Sequence, residues 1–220
     1  MCSLKKASTL CKAAYSTTII LTIFAIVCLL LLSGCISQEN DKNAALVQAE
    51  EWFTSQASRY DIFTGETRND LYIILTGDKH HEVDELYTSY RVFVIQKDGD
   101  AYSVEAAKTA QTALSAGFTA SVLVTNDMTI VFGDIEDGVY DFSLDKIVPT
   151  EFSEARVIYD DEKEETVAIS NNKPYMLILD GKVNVEDIKY LGNGIDVKYS
   201  DYFSDDLMEN ATSSETTELE

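Results

Sequence analysis

The amino-acid sequence predicts an α+β fold, mostly antiparallel β (sandwich- or barrel-like), with one N-terminal amphipathic helix. Two observations carry this. Between Leu71 and Tyr199, short β-branched and aromatic runs recur between Asp-, Asn- and Gly-containing turns, without helical crossovers. That spacing belongs to an antiparallel sandwich or barrel. Ahead of these runs, Leu46, Ala49, Phe53, Ala57 and Tyr60 recur at three- and four-residue steps, one face of a helix over roughly 43–60. Trp52 sits beside this face, and packing on a sheet is the usual role of such a stripe.

The strands follow in order. Leu71–Leu75 is an apolar run stopped by Thr76-Gly77-Asp78, and Tyr90–Ile95 leads through Asp98-Gly99 into a return strand at Ala101–Val104. Asp-Gly between two β-prone runs marks a hairpin, because glycine tolerates the positive φ of the turn. Glu105–Ser115 is rich in Ala and Thr and reads either as helix or as extended chain. Thr119–Val124 and Thr129–Phe132 flank Asn126-Asp127, and Val139–Phe142 is a short strand. Ala155–Tyr159 and Thr166–Ile169 bracket a charged turn. Tyr175–Leu179 ends at Asp180-Gly181, and Ile188–Leu191 and Ile195–Tyr199 flank Gly192-Asn193-Gly194.

The first 34 residues have a different character. Lys5, Lys6 and Lys12 precede an almost purely apolar stretch, Ile19–Leu32, and the small residues Ser33 and Gly34 precede Cys35. Charge, apolar core and small-residue cleavage site make the layout of an export signal. The core is short for a helix crossing ~30 Å of hydrocarbon, which needs about 20 residues. An uncleaved membrane anchor extended through Thr17 and Thr18 is the alternative. Leu32-Ser33-Gly34-Cys35 resembles the lipobox of bacterial lipoproteins, most of all those of Gram-positive organisms. The resemblance implies diacylglycerol on the Cys35 sulfur, cleavage before Cys35 and an anchored domain facing outward from the cell membrane. At roughly 0.8 kcal/mol per buried methylene, two or three acyl chains hold such a protein on the bilayer. Cys2, Cys11 and Cys28 fall in the removed segment, so no disulfide is expected in the exported body.

The expected organisation is a signal peptide at 1–34, a lipidated tether at 35–43, a single β-rich domain at 44–202 and a disordered acidic tail at 203–220. From Gly117-Phe118 through Val131–Ile135 to Tyr175–Gly181 and Glu186–Tyr190, the body resembles small membrane-anchored proteins of Gram-positive bacteria. The shared features are structural turns. They imply a fold and an address, and no activity.

Charge excludes some partners. Of 17 Lys and Arg residues, three lie in the signal segment, leaving 14 against 38 Asp and Glu and a formal charge of −24. Such a polyanion is not a nucleic-acid binder, since that binding runs on phosphate neutralisation. Basic peptides and cations are the electrostatically compatible partners.

Catalytic patterns are sparse. The only histidines, His80 and His81, are adjacent, and no Gly-x-Ser-x-Gly elbow, phosphate loop or His-Glu-x-x-His spacing occurs. Lys79–Glu85 holds His80 and His81 beside carboxylates and has metal-ligand chemistry, although a solvated loop is the favoured reading. Asp134 and Glu136, with Asp137, Gly138 and Asp141, alternate oxygens around a glycine. They depart from the EF-hand order, and β-turns are the favoured reading. No metal or cofactor is expected beyond the lipid on Cys35. The function expected is that of a lipid-anchored, non-enzymatic binding or accessory module, with the membrane and a protein at the cell surface as partners. A carboxylate- or metal-dependent hydrolase of cell-envelope polymers, and a sensor of divalent cations or small ligands, are the alternatives.

Overall fold

A computed structural model describes residues 44–68, 70–78, 82–83, 86–87, 89–111, 116–203, 207–208 and 211. Helix α1 covers 44–56. Among the described residues fifteen strands follow, all pairing antiparallel. Strands β1 (Tyr60–Arg68), β2 (Leu71–Asp78), β5 (Ser89–Asp98) and β6 (Ala101–Gln111) form one four-stranded sheet in the order β1-β2-β5-β6. Two short strands, β3 (Glu82–Val83) and β4 (Leu86–Tyr87), pair with each other. A three-stranded sheet has the order β13-β8-β7, from β7 (Ser121–Val124), β8 (Met128–Gly133) and β13 (Tyr175–Asp180). Strands β9 (Gly138–Asp141) and β10 (Lys146–Pro149) form a separate hairpin. The last sheet runs β12-β11-β14-β15, from β11 (Phe152–Tyr159), β12 (Lys163–Ala168), β14 (Val185–Gly192) and β15 (Ile195–Lys198).

The elements stack in layers, and the expected mostly antiparallel α+β class holds, with packed sheets and no closed barrel. Helix α1 lays Ala49 and Phe53 on the first sheet, and the Phe53 ring sits 4.7 Å from that of Phe93. The opposite face of that sheet carries Leu71, Ile73, Leu75, Val92 and Val94. They pack against Leu123, Met128, Ile130, Phe132, Met176 and Ile178 of the three-stranded sheet. Side chains alternate along a strand, so Val122, Val131, Tyr175 and Leu179 point the other way and meet Ala155, Val157, Ile188 and Tyr190. The three-stranded sheet is thus the middle layer, and all six residues of β8 are buried. The last sheet has a solvent face, and β11 and β14 accordingly alternate in burial.

Two groups of buried polar side chains between the middle and last sheets are paired, as burial requires. The Tyr175 and Tyr190 hydroxyls hydrogen-bond at 2.8 Å, one donating to the other, and the acceptor's own O–H is free to donate to the Thr119 carbonyl, 3.3 Å from each oxygen. The Thr129 hydroxyl donates to the Gly181 carbonyl and accepts from Val183 N.

Several local expectations are corrected. Tyr60 opens β1 instead of closing the helix. The Ala57 N–H makes the last helical bond to Phe53 and a turn follows, yet the Tyr60 ring still reaches Phe53, at 6.0 Å. Thr76–Asp78 continues β2 rather than turning, because both neighbouring strands pair with it. The ambiguous Ala/Thr segment is strand as far as Gln111, held to β5 by the ladder. In the stretch assigned to a tail from 203, Phe203, Leu207 and Met208 pack on the core. Ala211 is buried there, and its carbonyl accepts from Val124 N.

Candidate functional site

The β9–β10 hairpin leaves the body where two glycine backbones meet. Gly117 has φ +86°, and a Cβ there would lie 1.7 Å from the Gly138 carbonyl oxygen, so only glycine permits the approach. Tyr140 N donates to the Ala116 carbonyl, and Thr150 N donates to that of Asp137, fastening the base of the hairpin. At the tip, Asp141 Oδ1 accepts from Ser143 N (2.8 Å), Ser143 Oγ (2.6 Å) and Leu144 N (3.1 Å). This is the aspartate-centred turn that competes with regular structure. The same bonds, led by that from the Ser143 hydroxyl, hold the Asp141 carboxyl below its ordinary range. The Tyr140 hydroxyl donates to Asp145.

This frame turns apolar side chains toward water. Phe142 is 67 % exposed, Leu144 56 % and Ile147 56 %. Scattered exposed apolar residues are ordinary; three on one hairpin make a patch, and patches of this kind mark interaction surfaces. Beside it lies a cleft of about 220 Å³ lined by Ala116, Tyr140, Phe142, Tyr202 and Phe203. The Phe142 ring is 5.3 Å from Tyr140 and 5.1 Å from Tyr202. A short 3-10 helix, Tyr199–Asp201, delivers Tyr202 and Phe203, and Tyr199 stacks on Phe203 at 4.4 Å. Phe118 of the core buttresses Tyr202 at 5.0 Å. The Tyr202 hydroxyl is held protonated to higher pH than usual by burial and then by the carboxylates of Asp141 and Asp201.

A wider groove of about 430 Å³ runs past Asp137, Pro149, Glu151, Asn171 and Asn193. Its amides are engaged internally. Asn171 Nδ2 donates to the Thr150 carbonyl at 2.6 Å, and Asn171 Oδ1 accepts from Phe152 N. Asn193 Nδ2 donates to Glu151 Oε2 at 2.9 Å. These bonds staple the β14–β15 turn and the β12–β13 connection to the β10–β11 junction, a structural role.

Of the sequence-predicted carboxylates, Asp137 borders the groove, whereas Asp134 and Glu136 line neither opening. Asp134 is 6 % exposed, and its carboxyl is pushed up to about 7 by burial and then by the charge of Glu136, against a lowering contribution from its own N–H. Glu136 is also raised, by burial and by Asp137. Among the described residues no three His, Cys, Asp or Glu side chains come together as metal ligands. Cys35, His80 and His81 lie outside the described residues.

Sequence reasoning placed Val139–Phe142 as a strand but did not single out Phe142, Leu144 or Ile147. The available signal was the run Tyr140-Asp141-Phe142-Ser143-Leu144-Asp145, in which apolar and polar residues alternate through a turn. No family model, no curated protein and no solved structure matches this chain.

Proposed function

We propose that this chain is a lipid-anchored lipoprotein whose extracytoplasmic domain is a non-catalytic binding module, engaging a protein partner at the cell surface through the β9–β10 hairpin. The observation that carries the reading is the outward placement of Phe142, Leu144 and Ile147 on a hairpin whose base and tip are both fastened by hydrogen bonds. Leaving apolar area in water forgoes about 25 cal/mol per Å², and pre-organised exposure of this kind favours association by reducing the ordering cost. Cys35 supplies the anchor in this reading, and the segment before α1 supplies the tether.

A photoreactive amino acid placed at Leu144 in intact cells tests the reading, with the same group at Glu162, in the exposed turn between β11 and β12, as control. A discrete adduct from position 144 and none from 162 is expected. Equal yields, or no adduct at 144, would overturn it. The anchor is tested separately: Cys35→Ala should abolish incorporation of labelled fatty acid, and persistent labelling would contradict the address.

A further inference from the structure

We infer that the aromatic cleft receives the cationic side chain of a lysine or arginine from a basic segment of the protein partner. This rests on the binding reading above and names what the hairpin recognises.

The cleft is walled by the rings of Tyr140, Phe142, Tyr202 and Phe203. Ring faces carry the negative end of the aromatic quadrupole and attract a cation placed over them. Carboxylates add to that potential. Asp141 and Asp145 belong to the hairpin, and Asp201 adjoins Tyr202. After burial, Asp141 and Asp201 are the groups that disfavour a negative charge on the Tyr202 oxygen. An anionic ligand is opposed by both the rings and the carboxylates. An apolar side chain would use the rings and gain nothing from the acids, so the combination selects a cation. Lys146 is the only basic residue of the hairpin and stands opposite Asp141 in the ladder. Its charge contributes to keeping Asp141 ionised. The net charge of −24 on the chain after Gly34 draws basic segments toward the domain and repels acidic ones. A cleft of about 220 Å³ is of single-side-chain size, which makes the unit recognised one cation within a longer segment.

The test uses the full-length chain in detergent and a fluorescent peptide of alternating lysine and glycine, read by anisotropy. Saturable binding is expected, with loss when the peptide lysines are acetylated. Phe142→Leu keeps the apolar character and removes the ring, and should weaken binding about fivefold, the scale of a partly exposed cation–π contact. Asp201→Asn, outside the hairpin, should weaken it less and make its salt dependence shallower. Binding that ignores Phe142→Leu, or an acetylated peptide that binds as well as the parent, would overturn the cationic occupant. So would displacement of the peptide by phosphatidylcholine vesicles, which would assign the cleft to a lipid headgroup. If the position-144 adduct forms in cells while the peptide fails to bind, only the occupant is wrong. If both are lost, the binding reading falls with it.

Discussion

Strand β8 and the β9–β10 hairpin follow one another in the chain through Asp134–Asp137, use similar side chains and meet opposite fates. Met128, Ile130, Val131 and Phe132 are at most 1 % exposed, clamped between two sheets. Phe142, Leu144 and Ile147 are more than half exposed. Composition does not separate the two regions; neighbours do. β8 has a strand on each side and a sheet on each face, whereas β9 and β10 pair only with each other and stand on a glycine–glycine contact. Apolar residues that a fold has no layer to cover remain available to something else.

The comparison can be broken at its buried end first. Phe132→Ala should destabilise the domain by about 3–5 kcal/mol, because the vacated volume lies between layers that relax little; denaturant titration reads it. A much smaller loss would mean that the middle sheet is not the packed centre of the molecule.

The junction between the two regions carries the next effect. In the folded domain the Asp134 carboxyl is raised to about 7, against an ordinary value of 3.8. Between those values the folded state binds the additional proton, so stability is greatest near pH 4, falls as pH rises and levels off above about 7. At about 1.4 kcal/mol per unit the full change from this group is on the order of 4–5 kcal/mol. Asp134→Asn should flatten that slope and raise stability at pH 8 relative to the parent. The raised Glu136 and Glu50 carboxyls contribute in the same direction, so a residual slope of the same sign is expected, while an unchanged one would contradict the burial of Asp134.

The exposed end should respond least. Phe142→Ser removes a ring that is two thirds in water, and its stability effect should stay within about 0.5 kcal/mol. A larger loss would place Phe142 among the packing residues and erase the contrast with Phe132.

These two regions also mark what was legible beforehand. The buried strands announce themselves: Leu71–Leu75 and Ile130–Phe132 are continuous apolar runs because both faces are covered, and the Asp98-Gly99 turn carries its positive φ at Gly99. Helix α1 was readable from its three- and four-residue spacing, but its end was not. Tyr60 satisfies the helical period and the first sheet equally well, since it contacts Phe53 from β1. The sheets' stacking order was hidden, because alternation says which residues share a face and not which face meets which. The site was hidden for the same reason. Phe142 and Leu144 read as ordinary β residues until the absence of a covering layer among the described elements is known. Asp134 was noticed as an oxygen donor, and its burial beside Glu136 makes it a pH-sensitive structural carboxyl instead.

The central claim is that the exposed tip of the β9–β10 hairpin serves recognition and not folding. It is tested most directly by crosslinking from position 144 in intact cells, comparing the parent with Phe142→Ser at matched surface levels and matched melting temperature. The account predicts a discrete partner adduct in the parent and its loss in the variant, with the fold intact. An adduct of equal yield in both chains would contradict it.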